Sequence, residues 1–242
     1  MSCNELRYWV EQSIPYSELP SSKREFQRFY VSTIGSLSLS NKLDNIKDDK
    51  ISLRASSYIK AYLDMRGIET GGILSSAYIR FSFSPMDIPE KLLKSHVLST
   101  TFPEKYGMHP VEFIPILVLF DKSGHSMMLI LDNINKYAYL LDINGPYATW
   151  SKFIVKVIER EIDYKIKDVT DVCPVNINIH FGQGICSAWT WFILMMKLAC
   201  KERNTKRVIT EFLRLSEEDQ RRALLTFIVE IYNYKKMKNS HW

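Results

Sequence analysis

The 242 residues predict an α+β fold: a central, mostly antiparallel sheet packed against a buried helix that begins at Cys186, with helical additions at the N- and C-terminal ends. Three observations lead there. The apolar, β-rich runs Val111–Phe120, His125–Asp132 and Tyr137–Ile143 follow one another across the short connections Lys122–Gly124 and Asn133–Lys136, the pattern of consecutive antiparallel strands. Trp150–Ile162 sets Phe153, Ile154, Val157, Ile158 and Ile162 on one helical face, suited to lie across that sheet. Cys186–Cys200 is apolar around most of its circumference, as a buried helix is.

Along the chain, residues 1–50 mix polar and aromatic side chains and end in a Ser/Asn/Asp-rich stretch, 36–50, that reads as a loop or connection. Ser57–Arg66 has Ile59, Tyr62, Leu63 and Met65 at helical spacing, and Gly67 stands where a C-cap belongs. Gly71 and Gly72 interrupt the chain before the alternating Ala77–Phe83, which predicts a strand, and a Pro-bounded helix is expected near Pro89–Val97. Beyond the amphipathic helix, the strict alternation of Val175–His180 predicts a last strand. The C-terminal part holds helices near Lys206–Leu215 and Glu217–Lys236, the second opened by Ser216 as N-cap with Asp219 three residues on. We divide the chain into an N-terminal helical or accessory region, 1–90, serving specificity or partner binding, and a catalytic region, 91–242.

Composition narrows the function. With 46% hydrophobic and 24% charged residues the chain is neither disordered nor a disulfide scaffold, and its size supports a full core. A net charge of +5 calls for neither nucleic acid nor a membrane. The basic stretches 201–207 and 234–242 read as solvated helix ends. The N-terminus lacks the cationic-then-apolar pattern of a signal peptide and the longest apolar runs are too short to span a bilayer, so an intracellular, soluble protein is expected. Cys3, Cys173, Cys186 and Cys200 show no CxxC spacing and are expected as free thiols. His96, His109 and His241 show no ligand spacing, so neither a metal nor a cofactor is expected.

Three residues carry the chemistry. Cys186 follows the loop Phe181-Gly182-Gln183-Gly184 and begins a helix, where unpaired N–H groups and the macrodipole favour a thiolate. His125 starts its strand just after a turn, placing an imidazole at the sheet rim. A hairpin closed around Asn133–Lys136 pairs residues whose numbers sum to about 269, which puts Asp142 nearly opposite Met127 and within a diagonal of His125. A carboxylate in an apolar strand is costly without a hydrogen-bond partner. The competing readings are a packing cysteine, a solvated turn histidine and an aspartate that caps the Asn-Gly-Pro turn. Together the three supply a nucleophile, a base and an orienting carboxylate.

The run from Gly124 to Trp150, followed by Val175–Phe192, resembles the adenovirus-protease and SUMO/ubiquitin-like-protease superfamily of cysteine peptidases, in particular its versions in large DNA viruses. There a His begins one strand, an acidic residue before a Gly-containing turn ends the next, and a Cys opens the central helix after a Gln-bearing loop. The similarity covers roughly residues 111–200. It implies a triad of Cys186, His125 and Asp142, with an oxyanion hole formed by the Cys186 N–H and either Gln183 or His180. Three positions depart from the pattern: Ser126 stands where many members have Trp, the only nearby Gln is three residues before the Cys instead of six or seven, and Ser187 replaces a common Gly. The resemblance implies a protein substrate, either a ubiquitin-like conjugate or a viral or host precursor, and a place in the cytoplasm or nucleus of a host cell, or in a virion. An acyltransferase or deubiquitinase effector on the same fold is the alternative, and a catalytically silent binding module is the rival from another class.

Overall fold

The computed structural model describes residues 4–11, 59–70, 77–81, 97–101, 113–119, 124–142, 151–167, 186–202 and 204–239. The chain separates into two compact units. The first combines Met1–Thr70 with Asn178–Trp242, and the second is Gly71–Ile177. The boundary drawn from the sequence at residue 90 falls inside the second unit, and the N-terminal helices belong with the C-terminal ones. The loop expected at 36–50 and the strand expected at 175–180 lie outside the described residues.

The second unit is built on a six-stranded sheet. Its strands are β1 (Ala77–Phe81), β2 (Val97–Thr101), β3 (Phe113–Leu119), β4 (Gly124–Asp132), β5 (Tyr137–Leu141) and β6 (Lys165–Lys167), in the spatial order β2-β1-β3-β4-β5-β6. The pairs β1/β2, β3/β4 and β4/β5 are antiparallel, whereas β1/β3 and β5/β6 are parallel. The register of β4 and β5 sets Met128 against Leu141, the sum of 269 that the hairpin argument requires. Pro115 sits in β3, opposite Met128 of β4.

The turn between β4 and β5 is held by Asp132, whose carboxylate accepts from the N–H groups of Ile134 and Asn135 at 3.1 and 3.0 Å and from the Asn135 side chain at 2.9 Å. These bonds, the Asn135 side chain first, hold that carboxyl below its usual range. Helix α3 (Ser151–Glu161) lies on one face of the sheet: Ile154, Val157 and Ile158, with Ile162 just beyond, share a core with Ile114, Ile116 and Val118 of β3, Met127 and Leu129 of β4, and Ala138 and Leu140 of β5. The amphipathic reading of 150–162 therefore names the buried face. Two strands were not foreseen. Val97, expected to end a helix, instead opens β2, and the rest of that expected helix lies outside the described residues. The three-residue β6, with alternate residues charged, is too short to show a pattern.

The first unit is helical: α1 (Asn4–Glu11), α2 (residues 59–65), α4 (Cys186–Ala199), α5 (Thr205–Leu213) and α6 (Glu217–Asn239). Its caps follow the sequence signals. Gly67 adopts φ +73°, its N–H donates to Asp64 O at 2.9 Å and the Ile68 N–H to Leu63 O at 3.0 Å, a Schellman ending for α2. Asn204 accepts from the Arg207 N–H to start α5, and Ser216 accepts from the Asp219 N–H at 3.1 Å to start α6. The core of this unit is aromatic. Trp9, Phe192, Phe212 and Phe227 are fully buried, with Phe192 making tilted or edge contacts to the other three at 5.5–6.1 Å between ring centres.

Cys200, just past the end of α4, is disulfide-bonded, which overturns the expectation that every cysteine is a free thiol. Pairing depends on the spatial approach of two Cα atoms, and spacing along the chain does not report that distance. Cys186 takes part in no disulfide, while Cys3 and Cys173 lie outside the described residues.

Candidate active site

In the second unit, His125 and Asp142 meet on the sheet. His125 is the second residue of β4 and Asp142 directly follows β5. By the alternation of strand side chains His125 shares a face with Met127 and Leu129, and Asp142 with Ala138 and Leu140, so both lie on the α3-covered face and the diagonal between them is short. The gap closes to a hydrogen bond: His125 Nε2 is 2.7 Å from Asp142 Oδ1. Asp142 is 0% exposed and His125 7%. A carboxylate taken this far from water requires such a partner. The rim position expected for His125 is thus corrected: the ring is buried, because the sheet is covered on the face it shares with Met127.

With Asp142 accepting from Nε2–H, a neutral imidazole carries its lone pair on Nδ1, the nitrogen able to take a proton from a nucleophile. Asp142 is bonded to the histidine, and His125 is buried, not a solvated turn residue.

In the first unit, Cys186 is the first described residue of α4 and is partly exposed. Its carbonyl accepts from Thr190 Oγ1 at 2.6 Å, an ordinary contact one turn along the helix. Trp189, Trp191, Phe192, Met195 and Met196 of the same helix are buried, consistent with core packing. Gln183 and His180, the expected oxyanion donors, lie outside the described residues. Among the described residues no group of His, Cys, Asp and Glu stands where it could hold a metal ion, and no helix is long and apolar enough to cross a membrane.

One polar cluster escaped the sequence analysis. In the first unit the half-buried Arg66 guanidinium is 2.8 Å from Glu5 Oε1 and 3.9 Å from Glu230 Oε2, with its plane over the rings of Tyr8 and Trp9 at 4.7 and 4.5 Å. Tyr62 donates a short hydrogen bond to Glu230. Burial first, and then that bond, push the Tyr62 hydroxyl well above the ordinary tyrosine range. The cluster ties α1, α2 and α6 together through residues up to 225 positions apart (230 − 5), a separation no local pattern signals.

The chain matches no protein-family model, no curated protein and no solved structure.

Proposed function

We propose that the protein is a cysteine peptidase in which Cys186 is the nucleophile, His125 the general base and Asp142 the carboxylate that orients it. The observation that carries this reading is the buried 2.7 Å contact between His125 Nε2 and Asp142 Oδ1. An aspartate sunk in an apolar sheet beside a histidine is expensive as structure alone, and it is the arrangement that fixes an imidazole as a base. Cys186 adds a thiol at a helix start, outside any disulfide.

In the proposed reaction His125 Nδ1 takes the Cys186 proton and the thiolate attacks a substrate carbonyl. The tetrahedral oxyanion is held by the Cys186 N–H and by Gln183 or His180. The C–N bond then breaks, His125 protonates the leaving amine, and water activated by the same ring hydrolyses the thioester and restores the thiol. The substrate is a protein, either a ubiquitin-like conjugate or a viral or host precursor. Ser126 in place of a roofing Trp favours a channel less restricted to a Gly-Gly terminus. No cofactor takes part.

The test is selective alkylation of the intact protein with a thiol-directed electrophile, read residue by residue by mass spectrometry. Cys186 should react much faster than any other thiol of the chain, and His125→Ala should remove that advantage. Equal labelling of Cys186 and another thiol, or labelling indifferent to His125, ends the peptidase reading. Probes bearing ubiquitin-like C-termini, alongside a peptide library, then sort the substrate class.

A further inference from the structure

Cys200 is disulfide-bonded and Cys186 is not, so of the four cysteines in the chain only Cys3 and Cys173 are left as its partner. Cys173 belongs to the chain segment of the second unit, whereas Cys3 and Cys200 both belong to the first. Asn4 and Leu6, in the first turn of α1, share with Met196, Ala199 and Cys200 the wall of one cavity of about 330 Å³. Cys3 stands a single residue before Asn4, about 3.8 Å of chain. A disulfide needs its two Cα atoms about 4.4–6.8 Å apart, a separation that this juxtaposition brings within reach.

The Cys200 end is fixed by its backbone. Its N–H donates to Met196 O at 3.0 Å, Lys201 adopts φ +49°, and the Glu202 N–H donates to Lys197 O at 3.0 Å, a Schellman ending for α4. Lys197 Nζ closes the turn on Glu202 O at 3.0 Å. Cys200 is half-buried beside the cavity, so a small thiol can approach its sulfur. Cys186 cannot do so, because it lies fourteen residues earlier (200 − 186) on the same helix, about 21 Å along the axis at roughly 1.5 Å per residue. The α1 helix has only eight residues, too few to stay helical alone in water, so tertiary contacts hold it. Trp9 anchors its second half in the aromatic core, and Glu5 ties its first turn to Arg66.

We propose that Cys3 and Cys200 form a disulfide that locks the first turn of α1 to the end of α4, and that dithiol reductants open this lock. One thiolate of the reductant attacks a sulfur of the bond, a mixed disulfide forms, and the other cysteine leaves as its thiolate. The second thiol of the reductant then displaces the remaining cysteine and closes a cyclic disulfide, so two electrons pass to the protein and both cysteines end as thiols. Trp9 and Arg66 keep α1 attached while its first turn is released beside the cavity. The bond spans 197 positions (200 − 3) and joins the two chain segments of the first unit, which constrains the unfolded chain over most of its length. The lock is independent of Cys186 chemistry, and its test does not use peptidase activity.

The experiment equilibrates the full-length protein in a glutathione redox buffer, blocks free thiols with iodoacetamide, digests without reductant and maps the linked peptides by mass spectrometry. Amide hydrogen exchange is then followed with and without dithiothreitol. A Cys3–Cys200 peptide pair should dominate, with the label on Cys173 and Cys186. Dithiothreitol should speed exchange in α1 about fivefold or more and leave α6 within about twofold. Cys3→Ser should reproduce the reduced pattern and abolish the response to dithiothreitol, whereas Cys173→Ser should leave that response intact. A Cys173–Cys200 pair, Cys200 labelled as a free thiol, or α1 exchange indifferent to dithiothreitol overturns the proposal.

Discussion

His125 Nε2 and Asp142 Oδ1 stand 2.7 Å apart on the covered face of the sheet, with the carboxylate wholly withdrawn from solvent. The pair is a hydrogen bond and a tautomer setting at once. Asp142→Asn keeps the shape but presents an amide N–H to Nε2, which turns the ring and moves its proton to Nδ1. In the proposed peptidase, turnover should then fall by roughly 10²–10⁴ while urea midpoints move little. Hydrolysis of a reporter peptide, measured beside circular dichroism of the variant, checks this. Full activity in Asp142→Asn would remove the carboxylate from the mechanism.

His125→Ala has a different signature, because it leaves the Asp142 carboxylate buried with its imidazole gone. The loss of a charged group's partner should cost about 1–3 kcal/mol in urea denaturation. The double variant His125→Ala, Asp142→Leu should recover part of that loss, since no buried charge remains. If the double variant is no more stable than the single one, the contact contributes to the fold in some way other than satisfying the carboxylate.

The pairing of β4 with β5 could be read from residue numbers because a hairpin with a short turn has few registers, and a one-residue slip would part Met127 and Leu129 from Ala138 and Leu140. For the same reason His125 and Asp142 could be brought together before any coordinates. The burial of His125 was not legible, since an imidazole next to a turn has the same sequence whether its face of the sheet is covered or open. β2 was missed because Val97–Thr101 shows no apolar-polar alternation, and β6 because three residues are too few to show one. Helix ends were more legible, through Gly67, Asn204 and Ser216, since caps are local chemistry. Long-range polar groupings such as Glu5, Arg66 and Glu230 leave no trace in any window of the chain.

Gly67 isolates a backbone effect. At φ +73° an alanine is strained, yet a Cβ built there meets nothing within 4 Å, so no packing change accompanies the substitution. Gly67→Ala should therefore destabilise by about 1 kcal/mol from the left-handed conformation alone, and Gly67→Asn by less. Urea denaturation of the three proteins orders them. An alanine variant as stable as the parent would mean that α2 does not end as the Schellman bonds describe.

Tyr62 links stability to alkaline pH. Its folded-state pKa lies above the unfolded value of about 10, so both states hold the proton below pH 10 and the full contribution is present there. As pH rises past 10 the unfolded chain releases that proton while the folded protein keeps it, and stability falls with rising pH. Tyr8, raised in the same direction, adds to this slope. Tyr62→Phe should flatten the decline between pH 9 and 11 and, at pH 7, cost about 1.5–3 kcal/mol, the loss of one hydrogen bond to a charged group. Denaturation curves at several pH values give the slope directly, and an unchanged slope in Tyr62→Phe would place the alkaline transition elsewhere.

Phe192 is the centre of the aromatic core, in contact with Trp9, Phe212 and Phe227, rings supplied by α1, α5 and α6. Truncation removes these edge contacts together and leaves a void that fully buried neighbours cannot fill without moving. Phe192→Ala should cost roughly 3–5 kcal/mol, a large share of the 5–15 kcal/mol that holds a typical domain together. Phe192→Leu keeps most of the volume and should cost less than half as much. Since α1 depends on this core for the burial of Trp9, amide hydrogen exchange in α1 should accelerate more in Phe192→Ala than exchange in α3, which packs on the sheet of the other unit. Equal acceleration in both helices would show that the substitution acts through global unfolding, and slow exchange in α1 would show that its attachment rests on the Arg66 cluster instead of the aromatic rings.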